Sequence, residues 1–423
     1  MVYVISKSGK PLMPCENVIA RLLLKSGRAK VKRKRPFTIK LTVETTEYTQ
    51  PLTLGVDTGS GTVGSAVSDD EGHILYMSEV KLRNDIKDRM DQRRKYRRSR
   101  RQRKTRYRKR RFLNRGASIR RDRLPPTLVS KLHAHIREIE FIKSILPITR
   151  LVLECGQFDM QLMNDPFIRS KGKIHWAYQK GPNYGFANTK EMVLNRDNYI
   201  CQCCKGKRKD SKLEVHHIVF QSQGGSDSQE NLITLCHTCH SLLHSGKISL
   251  DKVGIKKGTL SHATQMNVLR SQLLKIYTNA IETFGYVTKE NRQYLNLPKE
   301  HYIDACVIAS CGNQITIESL LYKRVCINDG DFQQTKGITS EQRLNTKKIF
   351  GFRKFDLVKY FGNEYLIKGR MTNGGYAILS DIDGNTVNFR KTSRHGKTVK
   401  LKDCKRLFAR KSIMTITTSA SDD

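Results

Sequence analysis

The sequence "YICQCCKGKRKDSKLEVHHIVFQSQGGSDSQENLITLCHTCHSLLH", residues 199–244, decides the fold of this part of the chain. It contains two Cys-x-x-Cys pairs, Cys201 with Cys204 and Cys236 with Cys239. Each pair places two thiolates on one tight turn, and four thiolates are the usual ligands of a tetrahedral structural zinc ion. The spacing therefore predicts a small fold organised around Zn²⁺, with reduced core cysteines as the alternative. The adjacent thiol Cys203 could replace one ligand.

Histidines lie between and after the cysteine pairs, namely His216, His217 and His240, and Asn231 lies among them. Adjacent histidines on a strand point to opposite faces. One of the two can therefore bind a metal while the other has a separate task, although a bend would let both reach one site. The alternative is that these histidines belong to the zinc fold. The order HH, N and CxxCH favours a catalytic arrangement over that alternative.

The charge balance indicates a polyanionic partner. The 423 residues, enough for two to four domains, include 78 Lys and Arg against 39 Asp and Glu, a net charge of +39. Solubility needs far less charge, so nucleic acid is the first candidate partner. We find no apolar run of membrane-spanning length and no signal peptide. A membrane surface is therefore the weaker alternative partner, and we expect a cytoplasmic protein whose eleven cysteines are reduced or bind metal.

The densest charge is "RRKYRRSRRQRKTRYRKRR", residues 93–111, with fourteen basic and no acidic residues. A helix of that length spans about 28 Å, long enough to follow several phosphates. Its charges repel, so we expect a polyanion to order it. A solvated charge run is the alternative, and Tyr96 and Tyr107 suit either base stacking or packing. The candidate RNA-binding residues are Arg93, Arg94, Arg97, Arg98, Arg100, Arg101, Arg103, Arg106, Arg108, Arg110 and Arg111.

The N-terminal half alternates between strand and helix patterns. We predict strands at "VYVI" and "PFTIKLTV", separated by a helix with Val18, Leu22 and Leu23 at helical spacing. Residues 52–82 predict a meander of strands broken by glycines. A helix is predicted over 127–145 and a short buried strand over 149–154. The apolar face of this helix comprises Leu128, Leu132, Ile136, Ile139 and Ile142.

The C-terminal half is predicted from weaker patterns. Residues 156–190 have the composition of a linker. Helices are predicted at about 262–284 and over 299–310. From 350 to 412 the pattern is β, with hairpin signals at "TNGG" and "DIDGN". The Ser/Thr/Asp-rich end is expected to fray.

Four further residues form a dispersed constellation. Asp57 and Glu154 each end an apolar strand, and His301 and Asp304 lie three apart on one face of a helix. Any one of these carboxylates could instead be a cap or a surface group. The sequence "VDTGS" around Asp57 is also typical of aspartic proteases, which need two such carboxylates. This chain has one, so a protease would have to be a homodimer, and neither the charge nor the Cys/His segment supports that.

The Cys/His segment resembles the HNH nuclease family over about 190–246, which implies a ββα-metal fold. The resemblance implies that His217 is the general base and that His216 and His240 hold a catalytic Mg²⁺. It implies that Asn231 braces the loop. A neutral imidazole can accept a proton near pH 7, and a cation stabilises charge that develops on a phosphodiester.

The carboxylate segments resemble the three split motifs of a RuvC nuclease, which has an RNase H-like fold. The resemblance implies that Asp57, Glu154 and Asp304 bind two Mg²⁺ ions and that His301 assists as base.

The order of all segments resembles the IscB family of transposon-encoded, RNA-guided nucleases, which are related to CRISPR type II effectors. The family's N-terminal "PLMP" motif occurs at 11–14. The resemblance implies that the Arg-rich run is a bridge helix that grips a guide RNA. Only about a dozen residues separate Arg115 from the next helix, so a large structured RNA is expected to replace the helical lobe of the CRISPR effectors. The C-terminal β unit would read a motif beside the target or bind RNA.

The implied fold is a multidomain α/β protein with an RNase H-like (RuvC) core split into three segments, an inserted bridge helix and HNH domain, and a small C-terminal β-rich domain. The expected boundaries are 1–50 for the PLMP domain, 51–84 for RuvC-I, 85–120 for the bridge helix, 121–180 for RuvC-II and linker, 181–250 for HNH, 251–345 for RuvC-III and 346–423 for the C-terminal domain.

We therefore expect an RNA-guided DNA endonuclease, a monomer in its ribonucleoprotein, with double-stranded DNA as target and no membrane partner. The resemblance also implies a prokaryotic cytoplasm and association with the nucleoid. The HNH site would cut the guide-paired strand and the RuvC-like site the displaced strand. Three alternatives are a standalone HNH homing endonuclease with a degenerate RNase H domain, a Holliday-junction resolvase and a non-catalytic RNA-binding protein. Intact Asp57, Glu154 and Asp304 disfavour the first, and the HNH insertion disfavours the second.

Overall fold

The computed structural model describes residues 1–102, 124–159, 163, 185–221, 225, 227, 229–250, 261–317, 320–328, 348–371, 373–389 and 396–418. They form a mixed α/β protein with two compact units. The first unit comprises Met1–Gln157 and Gln265–Asp423, and the second comprises Phe158–Thr264.

The N-terminal residues of the first unit form a three-stranded sheet with one helix. The elements are β1 (Tyr3–Ile5), α1 (Asn17–Lys25), β2 (Ala29–Lys34) and β3 (Phe37–Leu41), with strand order β1-β3-β2. The predicted strands and helix are thus confirmed. The helix packs on its core through Ala20 and Leu23, whereas Val18 and Leu22 are exposed. The apolar stripe of α1 is therefore only partly buried.

An eight-stranded sheet forms the centre of the first unit. Its strands are β4 (Leu52–Asp57), β5 (Thr62–Ser68), β6 (His73–Lys81), β7 (Ile148–Glu154), β10 (Ile281–Thr283), β11 (Thr316–Ile317), β12 (Leu321–Cys326) and β18 (Ile413–Thr418). The order is β10-β7-β4-β5-β6-β12-β18, and β11 pairs with β6. β4, β5 and β6 form the predicted antiparallel meander, whereas β7 joins β4, and β10 joins β7, in parallel. The carboxyl ends of β4, β7 and β10 therefore meet at one edge of the sheet.

Helices cover both faces of this sheet. On one face, α3 (Pro126–Lys143) and α6 (Ser261–Ile276) pack against alternate residues of β4, including Leu54 and Val56. On the other face, α8 (His301–Ala309) packs against β5 and β6. The backbone of α8 runs so close to β4 that a Cβ at Gly55 would lie 2.6 Å from the carbonyl oxygen of Ala305. Only glycine at that position lets α8 lie directly on the sheet.

The helix predicted at about 262–284 is partly wrong. α6 ends at Ile276, β10 follows, and a further helix, α7, runs from Gly285 to Tyr294. Residues 281–283 become a strand because they pair with β7, an interaction with a segment far away in the sequence. Local periodicity carries no information on such a partner.

The predicted C-terminal β structure is confirmed. It contains β13 (Leu357–Tyr360), β14 (Asn363–Arg370), β15 (Tyr376–Ser380), β16 (Val399–Lys400) and β17 (Lys405–Phe408), in the order β16-β15-β14-β13-β17. The "TNGG" signal lies at the connection between β14 and β15, which pair antiparallel. β18 then leaves this sheet and pairs antiparallel with β12 of the central sheet. The end of the chain is thus ordered to Thr418, and residues 419–423, where fraying was expected, lie outside the described residues.

The second unit contains a compact ββα arrangement. After α4 (Thr189–Arg196) come β8 (Leu213–His217), β9 (Leu232–Cys236) and α5 (His237–His244), and β8 pairs antiparallel with β9. Asn188 caps α4, since its side chain accepts a hydrogen bond of 2.9 Å from the Glu191 amide. Most of the expected linker, 156–190, lies outside the described residues.

The basic run begins on a helix, α2 (Ile86–Gln102). Tyr96 on this helix is buried, which supports the packing alternative for its ring. Tyr107 and the arginines at 103, 106, 108, 110 and 111 lie outside the described residues, and for Arg100 and Arg101 only the backbone is described. None of the helices described is both long and apolar enough to cross a membrane.

Candidate active sites

The four predicted cysteines converge in the second unit. The Sγ atoms of Cys201, Cys204, Cys236 and Cys239 all lie within 4.8 Å of one another, and Cys204 and Cys236 are 3.9 Å apart. Tetrahedral zinc with Zn–S bonds of about 2.3 Å separates its sulfurs by about 3.8 Å, so the spacing fits this ion. Cys203 is exposed and lies outside the cluster.

The thiols of this cluster differ in acidity. Burial would raise the pKa of Cys204, but hydrogen bonds from the backbone of Arg208 and from Cys201 lower it to about 7. Burial and the neighbouring cysteines raise the pKa of Cys239. All four thiols could ionise together only if a cation supplied a compensating positive charge. Such dependence on a cation is typical of a structural metal site.

Three histidines form a second cluster in the same unit. His216 comes from β8, and His240 and His244 come from α5, where four residues place them on one face. One nitrogen of each lies within 4.8 Å of the others, and the Nε2 atoms of His240 and His244 are 3.2 Å apart. His244 was not predicted from the sequence, although the spacing H-x-x-x-H on a helix was a signal for it.

The surroundings of these imidazoles favour metal binding. The Glu214 carboxylate lies 2.8 Å from Nδ1 of His240, which leaves Nε2 of that ring directed into the cluster. Burial and the adjacent His240 and His244 lower the pKa of His216 to about 4. The pKa of His240 is also lowered, chiefly by burial. Both rings are therefore neutral near pH 7, as metal ligands must be.

A pocket of about 310 Å³ opens beside the three histidines, and His217 lines it. Nε2 of His217 lies 2.7 Å from Asp227 Oδ1, and the same carboxylate oxygen accepts a hydrogen bond of 2.7 Å from Gln221. Asn231, unlike His217, does not line this pocket. Its side chain bonds both the amide and the carbonyl of Val219, at 2.8 and 3.0 Å, and so fixes the chain after β8.

The dispersed constellation converges in the first unit. Asp57 and Glu154 end the parallel neighbours β4 and β7 and face each other in register. His301 opens α8, and its Nδ1 lies 2.6 Å from Asp57 Oδ2. Asp304 follows one turn later and forms an ion pair of 2.7 Å with Nε of Arg292, a residue of α7 that the sequence analysis did not identify.

Electrostatics show that the three carboxylates share one space. Burial, and then the charge of Asp57, raise the pKa of Glu154 to about 7, and Asp304 contributes in the same direction. Burial and Asp57 likewise raise the pKa of Asp304. The hydrogen bond with Asp57 raises the pKa of His301. Mutual repulsion of this kind is typical of sites that bind cations or share protons.

Comparisons with known proteins match two separate parts of the chain. A family described as "RRXRR protein" matches residues 2–181, and the family "HNH endonuclease" matches residues 201–246. Anaredoxin from Nostoc sp. is 36% identical over 73 residues, which are 17% of this chain and 92% of that protein. The type IV methyl-directed restriction enzyme EcoKMcrA from Escherichia coli is 37% identical over 65 residues, 14% of this chain and 23% of the enzyme.

Among solved structures, Streptococcus thermophilus Cas9 in complex with the AGAA PAM is similar with a TM-score of 0.34 and 11% identity. The similarity covers 58% of this chain and 32% of the Cas9 chain. The chain thus spans less than two thirds of both the restriction enzyme and the Cas9 chain.

The matched HNH family and the ββα unit define an HNH endonuclease module in the second unit. The RRXRR match over 2–181 and the HNH match over 201–246 together support an IscB- or Cas9-like nuclease.

Proposed function

We propose that this protein is an RNA-guided DNA endonuclease in which the HNH site cuts the guide-paired strand and the carboxylate site cuts the displaced strand. The observation that carries the proposal is the presence of two differently built candidate sites in one chain. One is an imidazole cluster beside His217, and the other is a carboxylate cluster beside His301. Two independent hydrolytic centres suit the cutting of two strands.

In the HNH site, His217 is the proposed general base. Asp227 accepts from its Nε2, which leaves Nδ1 to take the proton of an attacking water. Asn231 holds the chain after β8 in place, and therefore fixes the position of His217 relative to the pocket. A cation held by His216, His240 and His244 would stabilise the negative charge that develops on the phosphate.

The HNH donor set consists of His216, His240 and His244 and fits a borderline metal better than the expected Mg²⁺. Mg²⁺ prefers oxygen ligands in octahedral geometry, whereas neutral imidazole suits Zn²⁺, Ni²⁺, Cu²⁺ and iron. The Nε2 atoms of His240 and His244 are 3.2 Å apart. This distance fits two nitrogen ligands of one ion with metal–nitrogen bonds of about 2.0–2.1 Å. We therefore assign this site to a transition metal.

In the first unit, the strand order supports a RuvC-like assignment. An antiparallel meander, β4 to β6, with β7 and β10 added in parallel on the β4 side is the arrangement of an RNase H-like sheet. Asp57, Glu154 and Asp304 are hard oxygen donors and suit Mg²⁺. His301, held by Asp57 through Nδ1, has Nε2 to accept a proton from water. Two cations there would orient the water and stabilise the leaving oxygen.

The four cysteines are the proposed structural Zn²⁺ site. They join the turn at 201–204 to the start of α5, so they fix the helix that carries His240 and His244. A ββα unit of this size has a small core, and a metal bond there contributes directly to folding.

The guide RNA is assigned to α2 and the basic run that continues from it. Arg93, Arg97 and Arg98 are exposed on α2, and none makes an ion pair within the described residues. Tyr96 on the same helix is buried, so the helix is anchored while these arginines face outward. Unpaired exposed arginines are suited to RNA phosphates.

The test is strand-resolved cleavage by the ribonucleoprotein. The RNA that co-purifies with the protein is sequenced, and a DNA duplex complementary to its guide is labelled on each strand. His217→Ala should cut only the displaced strand, and Asp57→Ala only the guide-paired strand. Loss of both cuts in either variant would refute two independent sites. A standalone HNH nuclease predicts instead that Asp57→Ala cuts like the unmodified protein and that no defined RNA co-purifies.

A further inference from the structure

The three carboxylates of the first unit share a pattern of contacts. One oxygen of each contacts a neighbouring side chain. Asp57 Oδ2 is hydrogen-bonded with His301 and Glu154 Oε2 with the Thr288 hydroxyl, whereas Asp304 Oδ1 forms an ion pair with Arg292 that lacks the alignment of a hydrogen bond. In the described part of the chain, the other oxygen of each carboxylate makes no hydrogen bond. Each side chain is thus oriented through one oxygen, and the second oxygen remains available to a cation.

Two of the three contacting residues come from α7. Thr288 and Arg292 lie four residues apart and therefore on the same face of this helix. The pairing of β10 with β7 explains the placement, because Thr283 lies opposite Glu154 and α7 begins two residues later. The first turn of α7 is consequently fixed beside the Glu154 carboxylate by backbone hydrogen bonds of the sheet.

The same turn also leaves space around the second oxygen of Glu154. A Cβ placed on Gly285 would lie 3.0 Å from Glu154 Oε1, tighter than ordinary contact. Thr288 itself is 4% exposed, so its hydroxyl is not shared with bulk water. The first turn of α7 therefore hydrogen-bonds Oε2 of Glu154 through Thr288 and, because residue 285 is glycine, leaves space around Oε1.

The contact also restricts the conformation of Glu154. A hydrogen bond to one carboxylate oxygen limits the rotamers that a long side chain can adopt. Without the hydroxyl, Glu154 would be less often directed toward Asp57.

We propose that Thr288 is a positioning residue of the carboxylate site, which orients Glu154 so that Oε1 is presented to a metal ion. The proposal rests on the proposed function only in taking Glu154 as a metal ligand. Thr288 acts through Glu154 and does not itself touch the metal or the DNA.

The experiment measures Mn²⁺ binding by the full chain, with Mn²⁺ as a paramagnetic probe for Mg²⁺. All proteins carry His240→Ala, which removes the imidazole cluster as a competing site. Thr288→Val replaces the hydroxyl by a methyl of the same shape and should weaken Mn²⁺ binding about 10- to 100-fold, the usual effect of losing a partner of a metal ligand. Thr288→Ser keeps the hydroxyl and should restore the affinity to within about threefold of the parent, since a single retained hydrogen bond carries the effect.

Thr38→Val is the matched control. Thr38 is also buried, and its hydroxyl donates a hydrogen bond of 2.9 Å to the Pro36 carbonyl, far from the carboxylates in the sequence and in a different sheet. It should lower the thermal midpoint about as much as Thr288→Val and leave Mn²⁺ affinity unchanged. A Thr288→Val protein that binds Mn²⁺ like its parent would overturn the proposal, as would a Thr288→Ser protein as weak as the valine variant. Glu154→Gln separates the two hypotheses, because unchanged Mn²⁺ binding in that variant would refute the carboxylate site itself.

Discussion

Replacement of Gly55 by alanine should disable the carboxylate site without direct contact with any of its ligands. Gly55 lies on β4 two residues before Asp57, and a Cβ there would lie 2.6 Å from the Ala305 carbonyl oxygen and closer still to the Ala309 amide. These are backbone atoms of α8 and cannot rotate away. To reach an ordinary separation of about 3.4 Å, α8 must move away from the sheet by roughly 1 Å.

This shift carries His301 and Asp304 with it, since both lie on α8, while Asp57 and Glu154 stay on their strands. A misplacement of about 1 Å in a catalytic group typically costs about 10²-fold in rate. Forcing a methyl into this packed contact should also lower the free energy of unfolding by about 1–3 kcal/mol. The HNH site belongs to the other unit, so cutting by that site serves as an internal measure of folded protein.

The assay is single-turnover cleavage of a duplex labelled on both strands. Gly61→Ala is the matched control, because a Cβ at Gly61 meets nothing within 4 Å and the residue lies in the connection between β4 and β5. Cutting of the displaced strand should fall about 100-fold for Gly55→Ala and stay unchanged for Gly61→Ala. Equal rates for the two variants would refute the packing argument, and an equal fall on both strands would indicate unfolding.

Two further predictions concern the second unit. Cys236→Ser should release the zinc ion, unfold the ββα unit and abolish cutting of the guide-paired strand, while the displaced strand is still cut. Elemental analysis should find about one zinc ion per chain in the unmodified protein. Active protein without zinc would contradict the assignment. The imidazole cluster should support cutting at lower concentrations of Co²⁺ or Ni²⁺ than of Mg²⁺, because neutral nitrogen donors favour those ions. Strand-resolved metal titrations test this, and an equal Mg²⁺ requirement on both strands would count against three histidine ligands.

Much of the carboxylate site could be predicted because its residues follow local patterns. Asp57 and Glu154 each end a strand of apolar residues, and polar residues at such positions are recognisable without a partner. The pairing that brings the two together, residue opposite residue, depends on which strands become neighbours. No periodicity carries that information, so the resemblance to a split nuclease core had to supply it.

The residues that were missed depend on the same kind of long-range pairing. Thr288 reaches Glu154 only because β10 pairs with β7, and the local pattern of 262–284 predicts helix instead of strand there. The polar pattern around Arg292 predicts an exposed side chain, yet this side chain is mostly buried beside Asp304. His244 is different, because its spacing from His240 was visible and only its role was overlooked.

The carboxylate site also shows a conflict between stability and function. Glu154 has its pKa raised to about 7, so the folded state retains a proton that the unfolded chain loses near its usual value of 4.5. Its contribution to stability is therefore most favourable below the unfolded pKa and diminishes as the pH rises toward 7. At neutral pH, burial next to Asp57 and Asp304 thus opposes ionisation of Glu154. A cation bound by these carboxylates would offset that repulsion. The same repulsion that weakens the metal-free fold consequently increases the gain in free energy on metal binding, and Thr288 and Arg292 hold the carboxylates in place until a cation arrives.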